Sequence, residues 1–293
     1  MNRCGQAAAA GLVILGMTAG GVFLSAQVQP PEPRRAFGAS VTGAFEGWYF
    51  NPDGSRSFLV GYYNRNSQQE LDIPIGPNNR IEPGGPDMGQ PTHFLAGRQW
   101  GMFIVPTPKD FKPTDSYIWT IVANGQSASI PLRLKADYVM SPFAEIAVGN
   151  TPPVLKFEAN GQSFQGPIAH VATAPSLTTT ASVSTALPLS LWVADDLKYT
   201  SGTGAPPSGS RTPVTVRWSK YRGPGSVTFD KARPELAKGT GPAAFNGKAT
   251  ATAKFSEPGD YVLHAIGNDY SGDGGGGFGC CWTTALLKVA VKP

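Results

Sequence analysis

Between residues 213 and 267 the chain reads PVTVRWSKYRGPGSVTF, then a polar stretch, then ATATAKFSEPGDYVLHAIG. Apolar residues alternate with polar ones in four short runs, and each run stops at a Gly/Pro turn. Alternation of period two turns one face of a strand inward and the other outward, and runs this short between tight turns leave little room for helix. The segment therefore demands antiparallel β structure. The rest of the chain agrees. It holds 36 Gly and 27 Pro, and only 15% of its residues are charged. That is too apolar for a disordered chain and too turn-rich for a helical one. A length of 293 residues accommodates two domains of ordinary size.

Several residues in this segment have positions with a physical purpose. Trp218 precedes the Gly223-Pro224 turn, Val227 and Phe229 form a short apolar pair, and Pro258-Gly259 leads into Tyr261 and Leu263. The run WSKYRGPGSVTF followed by ATAKFSEPGDYVLHA resembles bacterial extracellular immunoglobulin-like domains of the PKD and REJ-like kind. The resemblance implies an immunoglobulin-like C-terminal domain, and with the strand pattern elsewhere the expectation is an all-β protein of two β-sandwich domains. It further implies Trp218 filling the space between the sheets and Tyr261 acting as a tyrosine corner, its hydroxyl bonded to backbone near the following corner. Such domains serve as spacers, adhesion modules or carbohydrate-associated modules. The N-terminal domain resembles uncharacterised secreted bacterial proteins, a likeness to which no activity attaches.

The N-terminus reads as a targeting segment. Arg3 lies in a short polar start, residues 7–24 are apolar and rich in Ala and Gly, and Ser25-Ala26 offers small residues for cleavage. The expectation is a signal peptide over 1–26, a Pro-rich spacer over 27–36, an N-terminal β domain over 37–160 and the immunoglobulin-like sandwich over 165–293. A secreted or periplasmic location follows, with no membrane span after cleavage. Cys4 lies ahead of the apolar run, so only Cys280 and Cys281 remain in the exported chain. Adjacent cysteines cannot join two sheets, and the core must hold by packing. The net charge of +4 is spread without a dense Lys/Arg cluster, which gives no nucleic-acid footprint.

In the N-terminal domain strands are expected at 45–50, 57–64, 70–75, 101–105, 117–123 and 129–134. Asn124-Gly125 is a hairpin signal. Residues 76–91 have almost no periodicity and read as a long loop. In the C-terminal domain the expected strands are A at 168–173, B at 187–194, C at 214–220, D at 227–230, E at 250–255, F at 261–267 and G at 283–291. A single helical turn is expected at 234–238. Strands of this order alternate in direction, so connections B–C, D–E and F–G share one pole. All three are long, whereas C–D and E–F are tight turns. One pole is thus elaborated, either as a contact site or as loop growth at a tolerant end.

Two groups concentrate at that pole. Asp195, Asp196, Asp269 and Asp273 supply carboxylates of the kind calcium uses, although the spacing of a calcium loop is lacking and solvated turn carboxylates give the same pattern. The second group is Phe278, Cys280, Cys281 and Trp282 behind a run of glycines. In an oxidising compartment the two thiols can close a small ring, making a flat apolar platform for a sugar or aromatic ligand. The alternatives are a labile redox pair, a soft-metal site or two buried thiols. No catalytic motif occurs: the three histidines fall in no metalloprotease pattern, and no nucleophile elbow or phosphate loop is present. The leading reading is an exported, non-catalytic binding or scaffolding protein whose partner is a polysaccharide or cell-surface component. The rival is a secreted hydrolase with Glu82, Asp87 and His93 converging in the N-terminal domain.

Overall fold

Period-two alternation becomes strand at most of the places where it was read, and in several places where it was hidden. A computed structural model describes residues 33–145, 149–177, 180–198, 213–269 and 280–293. The expected signal peptide lies outside them. Among the described residues, no helix is long and apolar enough to cross a membrane.

The N-terminal half contributes β1 (Val41–Phe50), β2 (Arg56–Asn64), β3 (Leu71–Asp72), β4 (Asn79–Glu82), β5 (His93–Phe94), β6 (Gly97–Thr107), β7 (Tyr117–Ala123) and β8 (Gln126–Leu132). They assemble as sheets β1-β2-β6 and β4-β7-β8 with a short β3-β5 pair. Phe58, Val60, Tyr62, Phe103 and Val105 from the first sheet share a core with Ile81, Trp119 and Ile121 from the second. Asn124 and Gly125 link β7 to β8 with φ of 49° and 74°, the two positive values that a tight hairpin turn requires. Residues 76–91, expected as a loop, instead contain β4, paired with β7. A polar residue disguised the period. Asn79 is fully buried, and its side chain donates to the carbonyls of Ile73 and Pro91 and accepts from Trp119 Nε1.

The C-terminal half contributes β9 (Val154–Lys156), β10 (Phe164–Gln165), β11 (Ala181–Ser182), β12 (Leu187–Asp195), β13 (Thr215–Arg222), β14 (Val227–Phe229), β15 (Ala237–Lys238), β16 (Phe245–Phe255), β17 (Gly259–Asn268) and β18 (Trp282–Lys292). One sheet runs β10-β9-β12-β16-β14 with β15 against β16, and the other runs β11-β18-β17-β13. Expected strands B, E and D thus lie in one sheet, and G, F and C in the other, the immunoglobulin-like division. Leu187, Leu189, Leu191 and Val193 face Trp218, Leu263, Ala265 and Leu287 across the interior. Strand A is displaced from its expected position. Residues 168–173 hold a 3-10 turn, Val171–Thr173, whose start is capped by His170 accepting from the Ala172 amide. The neighbour of β12 is β9, while β11 adds in parallel to β18. The turn expected at 234–238 is extended and holds β15.

The outer face of sheet β11-β18-β17-β13 is not solvated. Tyr221, Val262 and Leu286 join the N-terminal core, and Ile266 and Trp282 pack with Tyr49, Leu59 and Ile104. Hence β17 is buried on both faces, which explains why YVLHAIG reads as a nearly continuous apolar run rather than a clean alternation. Polar bonds complete the join. Tyr221 Oη donates to the Gly89 carbonyl, and the guanidinium of Arg222 grips both oxygens of Asp87 at 2.8 and 2.9 Å.

Candidate functional site at the loop pole

The registers place five strand ends together. Asp195 stands opposite Phe245, Thr215 opposite Asn268, and Asn268 opposite Trp282. The connections 196–214, 230–244 and 269–281 therefore leave from one pole, and the tight turns 223–226 and 256–258 lie at the other. Residues 199–212 and 270–279 lie outside the described residues, so the roots of two of these loops are described and their tips are not. Phe278 and Asp273 fall in that undescribed stretch.

The acidic residues are held at the roots by backbone amides and by the side chains of Thr151 and Asn150. Asp195 is buried, and its Oδ1 accepts from the Leu197 amide at 2.9 Å. Asp196 accepts from the amide and hydroxyl of Thr151 at 3.1 and 2.9 Å and from the Lys198 amide at 3.0 Å. Asp269 is also buried and accepts from Asn150 Nδ2 at 2.8 Å. Glu145 and Asn150 enter the same neighbourhood, both buried, with the Glu145 amide donating to the Asn150 carbonyl at 2.8 Å. No local spacing could have announced them, because Asn150 meets Asp269 across 119 residues of chain. Among the described residues, no group of three or more His, Cys, Asp or Glu is arranged to hold a metal ion.

Cys280 and Cys281 are bonded to one another. Both, and Trp282, have no accessible surface. The flat platform expected at the surface is therefore internal: Trp282 lies over the backbone of Gly101, where an added Cβ would come within 2.6 Å of the indole. Two sheets pack here, and the largest apolar ring at the junction fills the space between them. A ring with no exposed face cannot stack on a ligand in this conformation. The sulfur of Cys281 sits 3.6 Å from the Asn150 carbonyl oxygen, so the bonded pair abuts the segment that also holds Asp269.

What the pole does offer is a cleft of about 400 Å³ lined by Val214–Arg217, Arg233–Glu235, Ile266 and Asn268. Its residues come from the ends of three different connections. Val214 and Val216 are buried in the sandwich interior and Ile266 on the opposite face of the sheet, while Arg233 and Glu235 are exposed. Arg217 is tied back to the N-terminal half, donating to Gln99 Oε1 at 2.8 Å. Arg233–Glu235 lie in the long D–E connection and Asn268 at the start of F–G, both singled out by the sequence, which gave no sign that Val214–Arg217 and Ile266 would line a cleft with them.

The residues considered for hydrolysis each have a different partner. Glu82 pairs with Arg80 at 2.8 Å, and Asp87 pairs with Arg222. His93 lies between Asp72 and Glu70, with ring nitrogens 3.0 and 3.2 Å from their oxygens. Burial draws the His93 pKa down, but the hydrogen bonds to Asp72 and Glu70 outweigh it and leave the value raised. The hydrogen bonds from Arg222 hold the Asp87 carboxyl below its usual range against the pull of partial burial. Lys220, itself buried, donates to Asp72 at 2.8 Å. These ion pairs fasten the 70–93 region to β13 and leave His93 with both nitrogens engaged.

No family model matches the chain, and no curated protein matches it. Among solved structures, the D00-D0 domain of Intimin is similar at 11% identity and a TM-score of 0.26, covering 87% of this chain and 100% of that one. Domains 4 and 5 of the S-layer protein SbsC are similar at 10% identity and a TM-score of 0.22, covering 87% and 98%. Scores this low carry no inference, so the architecture rests on the strand order and registers given above.

Proposed function

We propose that this is an exported, non-catalytic binding or scaffolding protein of the cell surface or periplasm, holding a carbohydrate or another cell-surface component at the loop pole. The observation that supports it is the cleft lined by Val214–Arg217, Arg233–Glu235, Ile266 and Asn268. Concave sites that set a few polar groups among apolar ones are where small ligand units lodge. Arg233 and Glu235 supply donors and acceptors at the mouth. The carboxylates of Asp195, Asp196 and Asp269 stand at the loop roots, where the hydrogen bonds from Leu197, Thr151, Lys198 and Asn150 hold the loops around the cleft.

Thermal unfolding of the chain from Gln27 onward tests this, with calcium or chelator, across a panel of soluble polysaccharides. A ligand that binds only the native state raises the midpoint. The expected result is a rise with at least one polysaccharide that shrinks in Arg233→Ala. A rise unaffected by Arg233→Ala, or no rise with any of them, would count against the pole as the contact site.

A further inference from the structure

One side of the C-terminal sandwich is left open. The two sheets end there in β10 and in β11 beside β18, and both end strands are two residues long, Phe164–Gln165 and Ala181–Ser182. Strands this short cover little of the interior edge, and an opening of about 160 Å³ remains. Its walls include Phe157, Phe164, Leu177 and Leu287, with Glu158 and Gln162 exposed at the mouth. Phe164 and Leu287 belong to the core. Phe157 is half-buried, its ring 5.5 Å from that of Phe164 and 5.7 Å from that of Trp218. Protein interiors are close-packed, with few voids larger than a water molecule, so an apolar space of this size against the core calls for an occupant.

The walls are held in place by backbone. The Leu177 amide donates to the Lys288 carbonyl and the Lys288 amide to the Pro175 carbonyl, each at 2.8 Å. The Gly161 amide donates to the Glu158 carbonyl at 3.0 Å and closes the turn at the mouth. A preformed site loses little freedom when it binds. The Glu158 carboxylate has no ion-pair or hydrogen-bond partner among the described residues. The nearby cations Lys156 and Lys288 are turned to the outer faces, because Leu155, Leu287 and Val289 are the core residues of their strands. The opening and the pole cleft have no lining residue in common.

We propose that this opening is a second ligand site, independent of the pole, and that it takes a small arylalkylamine: a benzene-sized ring on a short chain ending in an ammonium. An apolar cavity of about 150 Å³ lined by Leu, Ile and Phe takes up benzene, and the opening matches it in size and lining. Phe157 and Phe164 offer edges and faces to an incoming ring. At the mouth, the Glu158 carboxylate and the Gln162 amide oxygen accept from the ammonium. A ligand with an anionic tail meets Glu158 as a like charge.

Amide chemical-shift titration of the chain from Gln27 onward with 2-phenylethylamine, n-butylamine and 3-phenylpropionate at neutral pH tests it. The expected result is saturable shifts at residues 157–164, 176–177 and 287 with 2-phenylethylamine and none with n-butylamine, which lacks the ring. 3-Phenylpropionate should bind roughly threefold more weakly, the scale of an exposed ion pair. Leu177→Trp puts an indole into the opening and should abolish binding. Glu158→Gln should weaken 2-phenylethylamine roughly threefold, remove its advantage over 3-phenylpropionate and leave the unfolding midpoint unchanged. Arg233→Ala at the pole should change nothing here. Shifts elsewhere or none, an equal response to n-butylamine, or affinity indifferent to Glu158→Gln overturns the proposal. Should Leu177→Trp fail to fold, the titration of the unaltered chain and of Glu158→Gln still decides.

Discussion

His264 is fully buried on the face of β17 that meets the N-terminal half, stacked on Tyr221 at 6.0 Å, and both ring nitrogens lack a hydrogen-bond partner among the described residues. Burial, with Arg217 nearby, lowers its pKa to about 3. The unfolded chain takes up a proton near the ordinary value of 6.5, and the folded chain does not until far lower pH. Stability from this group is therefore full above the ordinary value and falls as pH drops from about 6.5 towards about 3, by at most roughly 1.4 kcal/mol per pH unit. His93 has the opposite sign, its contribution being present below its ordinary value and lost as pH rises through the raised one. We predict that His264→Leu flattens the acid limb of stability measured by urea unfolding between pH 7 and pH 4, and that His93→Gln does not. A second prediction concerns Gly61. With Glu46 and the Gln99 carbonyl oxygen in the way of a Cβ, Gly61→Ala should destabilise by about 1–3 kcal/mol in the same assay, the usual range for overpacking. Neither residue was legible from the sequence. His264 sits in a run that is apolar on both faces, which marks neither as the inner one, and Gly61 had no turn signal because its constraint comes from Glu46 and Gln99 on neighbouring strands.

Among the elements, the E–F corner was the most readable. Tyr261 Oη donates to the Glu257 carbonyl at 2.9 Å and accepts from the Gly225 amide at 3.0 Å, so one side chain fastens the E–F turn to the C–D turn. Tyr261→Phe should cost about 1–3 kcal/mol, because it leaves a buried amide without its acceptor; equilibrium unfolding measures it, and a change under a few tenths would contradict the corner. Trp218 and the Asn124-Gly125 hairpin were equally readable, since a central ring and a turn with two positive φ values are local requirements written in the residue types. The elements that escaped were those whose period is carried by a polar residue or whose partner is far away. β4 hides behind the buried Asn79. The strand beside β12 comes from Val154–Lys156 rather than 168–173, a choice made by long-range pairing that no window of sequence contains. The vicinal cysteines were conspicuous, but their burial depends on how the two halves meet.

On the scale of the molecule, the halves share apolar cores and are fastened by Arg222 with Asp87 and by Lys220 with Asp72. Shared burial couples unfolding, so calorimetry of the chain from Gln27 onward should show one transition; two resolved transitions would mean that the junction contributes little. The pole is legible in outline from loop lengths and strand alternation. Its lining is not, because it is assembled from separate stretches of chain, Val214–Arg217, Arg233–Glu235, and Ile266 with Asn268. The most direct measurement is amide chemical-shift mapping of the chain from Gln27 onward with whichever soluble polysaccharide raises the midpoint, alongside a chromatographic search for shortened products. Binding at the pole predicts shifts concentrated at residues 214–217, 233–235 and 268 and a polymer that stays intact. Shifts centred on residues 76–94, with the polymer cut, would contradict it.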